Sequence, residues 1–199
     1  MKTILIHAPP TYYLEGFMKV VDFEKYNILV IGPHIYEGFN GSFVERKTLS
    51  YDNVIEVLKD MNVKPYRIVN VNEEYMILGE TLRARFGMAR NGVDTIGITR
   101  TKNHMKEIWG RYGISTPRMM VISLDTDLSG IIDNVEYPVI VKPSVGFASC
   151  GVRLVSNGQE LKNQVNKARV FQRCFVSQEN IDVSKVLIEE YIEGEEFSV

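Results

Sequence analysis

The sequence of 199 residues is poor in the features that mark several common classes of protein. It holds two cysteines, Cys150 and Cys174, and three histidines, so neither a disulfide framework nor the spaced ligands of a zinc site are predicted. No apolar run approaches the roughly 20 residues that a membrane-spanning helix needs. The first ten residues, MKTILIHAPP, are interrupted by His7 and Pro9, so they resemble a first strand more than a signal peptide. These absences favour a soluble cytoplasmic protein without a membrane partner.

The sequence also lacks an excess of charge of either sign. The formal net charge is −2 and the sequence pI is about 6.0, so no nucleic-acid partner is predicted. Neither G-x-x-x-x-G-K-[ST] nor G-x-G-x-x-G occurs, which excludes a P-loop and a dinucleotide-binding fingerprint. With 45% hydrophobic and 24% charged residues, the composition is that of a globular protein of one large or two small domains.

Strand and helix patterns alternate through the first 90 or so residues. Predicted strands cover residues Thr3–Ala8, Asn27–Ile31 and Tyr66–Val71. Helices are predicted over Asp52–Met61 and from Asn72, as a cap, to Gly87. The alternation predicts a small three-layer α/β domain with a mainly parallel sheet. Asn40-Gly41 between two phenylalanines further suggests a hairpin turn.

The second half begins with a helix predicted over Thr101–Tyr112, which carries Lys102 in its first turn. Taken alone, Lys102 is expected to be a solvated lysine, because the helix dipole does not favour a cation in the first turn of a helix. A strand over Pro117–Ser123 and a helix capped by Ser156, with Gln159 at the capping-box position, follow. The last predicted elements are a buried strand at Val186–Ile188 and a strand in which the sequence ends.

The most informative stretch is residues 137–152, YPVIVKPSVGFASCGV. A buried strand leads into Lys142, which places one cation where the backbone leaves the sheet. The residues that follow are mostly small: Ser144, Gly146, Ala148, Ser149, Cys150 and Gly151. Small residues let successive backbone N–H groups approach a phosphate closely. The alternative interpretation is a β-hairpin with a loose loop and a lysine that reaches solvent.

Three separated elements resemble, in order and spacing, the ATP-grasp superfamily. The first is the helix that opens with Lys102 and is followed by GISTP, and the second is the strand, lysine and small-residue loop of residues 139–152. The third is the segment EEYIEGEEFSV, which begins at Glu189. The loop FASCGV is most similar to that of the carboxylate–amine ligases of the superfamily, including the L-amino acid ligases. Thr101 departs from the pattern, because an acidic residue usually precedes the lysine.

The resemblance implies an α/β fold in two parts. Residues 1–97 would be the N-terminal α/β domain that precedes the nucleotide fold, and residues 98–199 would be the N-terminal part of an ATP-grasp domain. Lys102 and Lys142 would contact the ATP phosphates, and Glu196 would accept hydrogen bonds from the ribose. The other implied ATP-binding residues are those of the small loop, Ser144, Ser149, Cys150 and Gly151, and those of the adenine hinge, Glu189, Glu190, Tyr191 and Ile192.

The activity that the resemblance implies is an ADP-forming ligation of a carboxylate to an amine through an acyl phosphate. ATP, Mg²⁺ and small carboxylate and amine substrates are the implied ligands, and a homodimer is an assembly that the resemblance allows. The metal ligands and the catalytic residues are expected in a C-terminal half outside these 199 residues, so the chain is predicted to be a truncated piece that is inactive alone. An ATP-grasp carboxylase or kinase, a non-catalytic nucleotide-binding module and an α/β domain without nucleotide remain the alternatives.

Two further alternatives remain open at single residues. Glu189 and Glu190 could be a solvated pair, although adjacent strand residues point to opposite faces and so cannot flank one bond as a glycosidase dyad does. Cys150 is predicted to be a small loop residue and not a nucleophile, because no histidine pattern supports its activation. Glu196 taken alone could be a solvated charge on an edge strand.

Overall fold

The computed structural model of the chain describes residues 1–34, 38–146, 149–175, 184–195 and 197. The chain divides into two compact units, Met1–Ile96 and Gly97–Val199. The first unit contains a four-stranded sheet and the second unit contains another.

The first unit is built on a parallel sheet with the strand order β3-β2-β1-β4. Its strands are β1 (Lys2–His7), β2 (Tyr26–Gly32), β3 (Ser42–Glu45) and β4 (Arg67–Val69). Its helices are α1 (Thr11–Met18), α2 (Tyr51–Asp60), α3 (Met76–Arg85), which a single 3-10 turn (Glu73–Tyr75) precedes, and α4 (Val93–Arg100), which runs across the boundary into the second unit.

The buried residues of β1 and β2 alternate between two cores. Leu5, Leu29 and Ile31 pack with α2 and α3 on one face of the sheet. Ile4, Ile6, Ile28 and Val30 pack with Leu14 of α1 on the other face. Because successive side chains of a strand point to opposite faces, an apolar run fills both cores at once. The unit therefore has three layers, and the predicted α/β class with a mainly parallel sheet is confirmed.

The predicted hairpin at Asn40-Gly41 is wrong. β3 pairs with β2 in parallel, with Leu29 opposite Ser42 and Gly32 opposite Glu45. The two strands therefore run in the same direction, whereas the strands of a hairpin run in opposite directions. Two parallel strands cannot be joined by a tight turn. The Asn-Gly pair indicates a change of direction, but it does not determine which way the next strand runs.

The helix ends of the first unit follow from local side-chain chemistry. The Ser50 side chain accepts a hydrogen bond from the Asn53 N–H, and the Asn53 side chain accepts one from the Ser50 N–H, which forms a capping box at the start of α2. Asn72 caps the 3-10 turn by accepting from the Glu74 N–H. Gly87 follows α3 with φ +66°, a conformation that favours glycine, and confirms the predicted helix end.

His7, the last residue of β1, is fully buried, and burial lowers its pKa from 6.5 to about 3, with a smaller effect from Arg83. Between these two values the unfolded chain binds a proton that the folded chain does not. Stability should therefore fall as the pH drops below about 6.5, by up to about 1.4 kcal/mol per pH unit from this group. Urea unfolding at several pH values, compared with His7→Gln, measures this contribution. An identical pH dependence in both proteins would show that His7 does not titrate in this way.

The second unit contains an antiparallel sheet with the strand order β5-β8-β6-β7. Its strands are β5 (Met119–Ser123), β6 (Val139–Pro143), β7 (Arg153–Val155) and β8 (Lys185–Glu190). Its helices are α5 (Lys102–Arg111), α6 (Ser129–Ile132) and α7 (Gly158–Phe175). The second unit thus adds an antiparallel sheet to the parallel one of the first.

One face of this sheet packs against α7. The buried core joins Val139 and Val141 of β6 and Val186 and Ile188 of β8 to a helix stripe, which consists of Leu161, Val165 and Ala168. The cap of α7 lies one residue later than predicted: the Asn157 side chain accepts from the Glu160 N–H, and Glu160 accepts from the Ser156 N–H.

None of the helices in the described ranges is long and apolar enough to cross a bilayer.

Candidate functional site

The first turn of α5 is fixed to the segment that follows β6. The backbone N–H of Lys102 donates to the Ser144 carbonyl at 2.9 Å, and the Lys102 ammonium donates to the Gly146 carbonyl at 2.7 Å. Lys102 is therefore turned towards the small-residue loop and is not simply a solvated lysine. A lysine in this place can contact an anion that the loop covers.

Ser144 and Asn103 join α5 to the loop through a buried hydrogen bond. The Ser144 hydroxyl lies 2.6 Å from Asn103 Oδ1, and both side chains are buried. The Ser144 N–H also donates to the Lys185 carbonyl at the start of β8. Ser144, which the sequence suggested as a loop residue, thus links three elements of the second unit.

Ser144→Ala should lower the free energy of unfolding by about 1–3 kcal/mol, because it leaves the buried Asn103 amide oxygen without its partner. Urea denaturation of Ser144→Ala, Asn103→Ala and the double variant measures the coupling between the two side chains. If their effects add without coupling, the hydrogen bond does not contribute to stability in this way.

A second set of charges lies on the sheet face opposite α7. Glu189 of β8 is bound by two lysines: its Oε1 lies 2.9 Å from the Lys106 ammonium, and its Oε2 lies 2.7 Å from the Lys142 ammonium. The exposed fractions of the Lys106, Glu189 and Lys142 side chains are 9%, 4% and 17%. Two cations and one carboxylate leave a net positive charge in a largely buried place.

The register of the sheet explains how these groups meet. Ile140 pairs with Glu189 and Lys142 pairs with Leu187, so Glu189 and Lys142 point to the same face of neighbouring strands. Lys106 reaches this face from α5, where it lies one turn after Lys102. α5 therefore directs one lysine at the loop after β6 and another at the carboxylate beside Lys142. Lys142 itself lies within β6, which continues to Pro143, and not at the end of the strand as predicted.

Glu190 is placed differently from its neighbour. The backbone N–H and the guanidinium of Arg118 donate to its two carboxylate oxygens at 2.9 and 2.6 Å. These bonds, the backbone one first, lower the pKa of Glu190, which stays ionised at neutral pH. The alternative that Glu189 and Glu190 form a solvated pair is thus wrong for Glu189, which is buried. The expectation that the two side chains point to opposite faces of the sheet is confirmed.

The residues after β8 present an exposed apolar edge. The side chains of Tyr191 and Ile192 are 45% and 63% exposed. Exposed aliphatic and aromatic side chains at the end of a central strand could pack on a flat ring. Glu196, the predicted ribose ligand, lies outside the described residues.

The second half of the small loop is a turn. Ser149 has φ +56° and Gly151 has φ +76°, and the Val152 N–H donates to the Ser149 carbonyl. The Gly151 carbonyl accepts from the Gln164 side chain of α7 at 2.8 Å, which holds the end of the loop. Cys150 is an exposed free thiol. Phe147 and Ala148 lie outside the described residues.

Sequence reasoning missed Lys106 and Asn103. Both are buried in the structure, although lysine and asparagine on a helix are usually solvated. Their spacing in the sequence could have indicated them, because Lys106 lies one helical turn after Lys102 and Asn103 directly follows Lys102. Within the described ranges, no group of three or more His, Cys, Asp or Glu side chains could hold a metal ion.

Comparisons with known proteins agree with this fold. Residues 135–199, which contain β6, β7, α7 and β8, match the family described as the ATP-grasp domain. The resemblance to the ATP-grasp superfamily predicted from the sequence is thus confirmed for this part of the chain.

Curated relatives of this chain include D-alanine–D-alanine ligases. The protein of Haemophilus ducreyi is 28% identical over 169 residues, which are 81% of this chain and 50% of that protein. The protein of a Marinomonas species is 30% identical over 122 residues, which are 60% of this chain and 35% of that protein. The chain thus spans half or less of the length of these relatives.

Solved structures share the fold across nearly the whole chain. The L-amino acid ligase of Bacillus licheniformis has a TM-score of 0.70 at 15% identity, covering 98% of this chain and 45% of that one. The D-alanine–D-alanine ligase of Bacillus anthracis has a TM-score of 0.65 at 20% identity, covering 98% and 59%. At such identities the likeness concerns the fold.

Proposed function

We propose that this chain is the ATP-binding part of an ADP-forming carboxylate–amine ligase. The observation that carries the proposal is the arrangement of Lys102 and Lys142 around β6. One ammonium faces the small-residue loop, and the other lies in a buried group of net positive charge. Residues 1–97 would be the domain that precedes the nucleotide fold, and residues 98–199 would be the N-terminal part of the ATP-grasp domain, a division close to that between the two compact units.

The phosphates would lie between Lys102 and Lys142. When a phosphate arrives, its oxygens compete with the Gly146 carbonyl for Lys102 and with Glu189 for Lys142. Charge-assisted hydrogen bonds to phosphate are among the strongest in proteins. Glu189 keeps Lys106 as a counter-ion when Lys142 turns to the phosphate, so no carboxylate is left buried and unpaired. The loop with Ser144, Ser149, Cys150 and Gly151 would cover the phosphates.

The base would lie at the end of β8. Glu189, Glu190, Tyr191 and Ile192 form the proposed hinge, where the backbone holds the adenine edge and the exposed Ile192 packs on the ring. The Arg118–Glu190 ion pair fixes the end of β8 to the residue before β5, which would keep this hinge in place. Glu196 is proposed to bind the ribose hydroxyls.

The proposed reaction begins with transfer of the terminal phosphoryl group of ATP to a substrate carboxylate. An amine then attacks the acyl phosphate, releases phosphate and forms an amide bond. The residues of this chain would hold and neutralise the nucleotide, and orient its terminal phosphate towards the acceptor. Magnesium bound with ATP would offset the charge of the transferring phosphate. Since no group of the described residues fits a metal, its protein ligands are proposed to lie elsewhere in the ligase.

A trapping experiment on the longer ligase tests both proposed steps, the formation of an acyl phosphate and its attack by an amine. An enzyme that makes an acyl phosphate from ATP and an amino acid should convert added hydroxylamine into a hydroxamate and release one ADP for each. Release of ADP that depends on bicarbonate, without hydroxamate from any amino acid, would indicate an ATP-grasp carboxylase instead.

A homodimer stays a prediction, which sedimentation equilibrium would test.

The 199-residue chain by itself is expected to release no ADP above the background, because the proposed metal ligands are not in it. A chromatographic assay for ADP with purified chain, ATP and Mg²⁺ checks this expectation. Turnover that follows the protein through purification would contradict the proposed division of the site.

A further inference from the structure

A cleft of about 740 Å³ opens at the amino-terminal edge of the parallel sheet in the first unit. It is lined by residues at the starts of β1 and β4, by residues 62–66, and by Arg83 and residues 86–89 around the end of α3. Its volume lies in the range of sites for small molecules. Open α/β sheets usually bind ligands at the carboxyl ends of their strands, so this cleft is at the other edge.

The cleft is strongly cationic. Four of its 15 described lining residues are basic, Lys2, Lys64, Arg67 and Arg83, and none of those 15 is acidic. The chain as a whole carries a formal net charge of −2, so the positive charge is a local feature of this cleft. A concave surface lined by charge of one sign concentrates ions of the opposite sign.

Two of the cations are held beside an aromatic ring. The Lys2 ammonium and the Arg67 guanidinium each lie 4.3 Å from the centre of the Tyr66 ring. That ring is stacked on Tyr26, with the ring centres 6.0 Å apart. Cation–π contacts favour this placement, and they hold both cations beside the same ring before any ligand arrives. An anion bound beside Lys2 and Arg67 would offset the positive charge of both side chains.

Arg83, a third cation of the cleft, is held by two contacts. Its Nε donates to the Ile68 carbonyl at 3.1 Å, and its guanidinium is paired with the buried carboxylate of Glu80. Glu80 neutralises Arg83, although Glu80 is not a lining residue of the cleft. No acidic lining residue offsets the positive charges of the other three, Lys2, Lys64 and Arg67. Val63, Phe86 and Met88 supply an apolar part of the wall.

We propose that this cleft binds a small polyanion that carries phosphate or carboxylate groups. The cationic groups would contact the anionic oxygens, and the apolar wall would contact the carbon atoms of an organic anion. The volume of the cleft favours a small molecule. The site is independent of the proposed ATP site, whose residues all belong to the second unit.

The test is a calorimetric titration of the 199-residue chain with pyrophosphate and, in parallel, with citrate. Saturable binding of one of them is expected, weakening as sodium chloride is raised. Which of the two binds more tightly shows whether phosphate or carboxylate is the preferred group. Lys64→Gln/Arg67→Gln should weaken binding about tenfold or more, since each lost cation removes a charge-assisted contact.

Two controls distinguish binding in the cleft from binding elsewhere on the chain. Lys19→Gln/Lys47→Gln removes the same charge from exposed positions of the same unit outside the cleft, and it should leave binding unchanged. Lys142→Met removes a proposed phosphate ligand of the second unit, and it should also leave binding to the cleft unchanged. Circular dichroism checks that each variant is folded, and Lys64→Gln alone, a change at a single side chain of the cleft, provides a milder second variant.

Three results would overturn the proposal. One is the absence of saturable binding of both anions at millimolar concentration. Another is an equal loss of affinity in the cleft variant and in its charge-matched control, which would show a general effect of net charge. The third is loss of binding of both anions in Lys142→Met but not in the cleft variant, which would assign the binding to the second unit.

Discussion

Glu189→Gln is expected to lower the free energy of unfolding of this chain by about 3–5 kcal/mol, because it leaves the buried Lys106 and the largely buried Lys142 without their carboxylate. Lys106 and Lys142 are 9% and 17% exposed, so water offers them little compensation in the folded state. Glutamine keeps the size and shape of the side chain, so the loss reports the charge and not a cavity. Urea unfolding followed by circular dichroism at neutral pH measures it.

Glu190→Gln is the matched control, since it is the next residue of the same strand. Its carboxylate pairs with Arg118, whose side chain is 77% exposed, and exposed ion pairs contribute little to stability. A triple variant, Lys106→Met/Lys142→Met/Glu189→Leu, should recover most of the loss, because an apolar group can replace a buried ion pair at small cost. If Glu189→Gln is no more destabilising than Glu190→Gln, the three charges are not buried together as described.

Lys142→Met is expected to weaken the affinity for ATP by about ten- to a hundredfold, which corresponds to one charge-assisted hydrogen bond of about 1.5–3 kcal/mol. The variant keeps the Lys106–Glu189 ion pair, so the fold should survive the loss. The exposed Lys167→Met of α7 removes the same charge from the same unit and should bind ATP as the unchanged chain does. Calorimetric titration of the three proteins with ATP gives the comparison.

Lys106→Met refines this prediction. Without Lys106, Glu189 has Lys142 as its one remaining counter-ion in this group, so Lys142 should be released to a phosphate less readily. The affinity for ATP should then fall although Lys106 is not proposed to touch the nucleotide. An unchanged affinity would mean that Glu189 does not compete with the phosphate for Lys142.

Much of the first unit could be predicted because its signals are local. The apolar runs of β1 and β2, the periodicity of α2 and the glycine after α3 are properties of short segments. The direction of β3 could not be predicted in the same way, because a parallel pairing depends on where the sheet has room for a strand. The turn residues Asn40 and Gly41 are compatible with either direction.

The site shows the same division. The strand β6, its lysine and the helix that begins at Lys102 were predicted from local pattern and resemblance. The roles of Lys106 and Asn103 depend on contacts with Glu189 and Ser144, which are separated from them by 41 residues or more in the sequence. Nothing in the helix itself distinguishes a lysine that will be buried against a carboxylate from a solvated one. The tertiary contact decides between them.

The most direct test of the central claim is a calorimetric titration of the unchanged chain with ATP and ADP, with and without Mg²⁺. The proposed site predicts saturable binding of both nucleotides at one site per chain, with an affinity limited by the missing metal ligands. Absence of nucleotide binding by this chain and also by the longer ligase would contradict the proposal and leave the fold alone established.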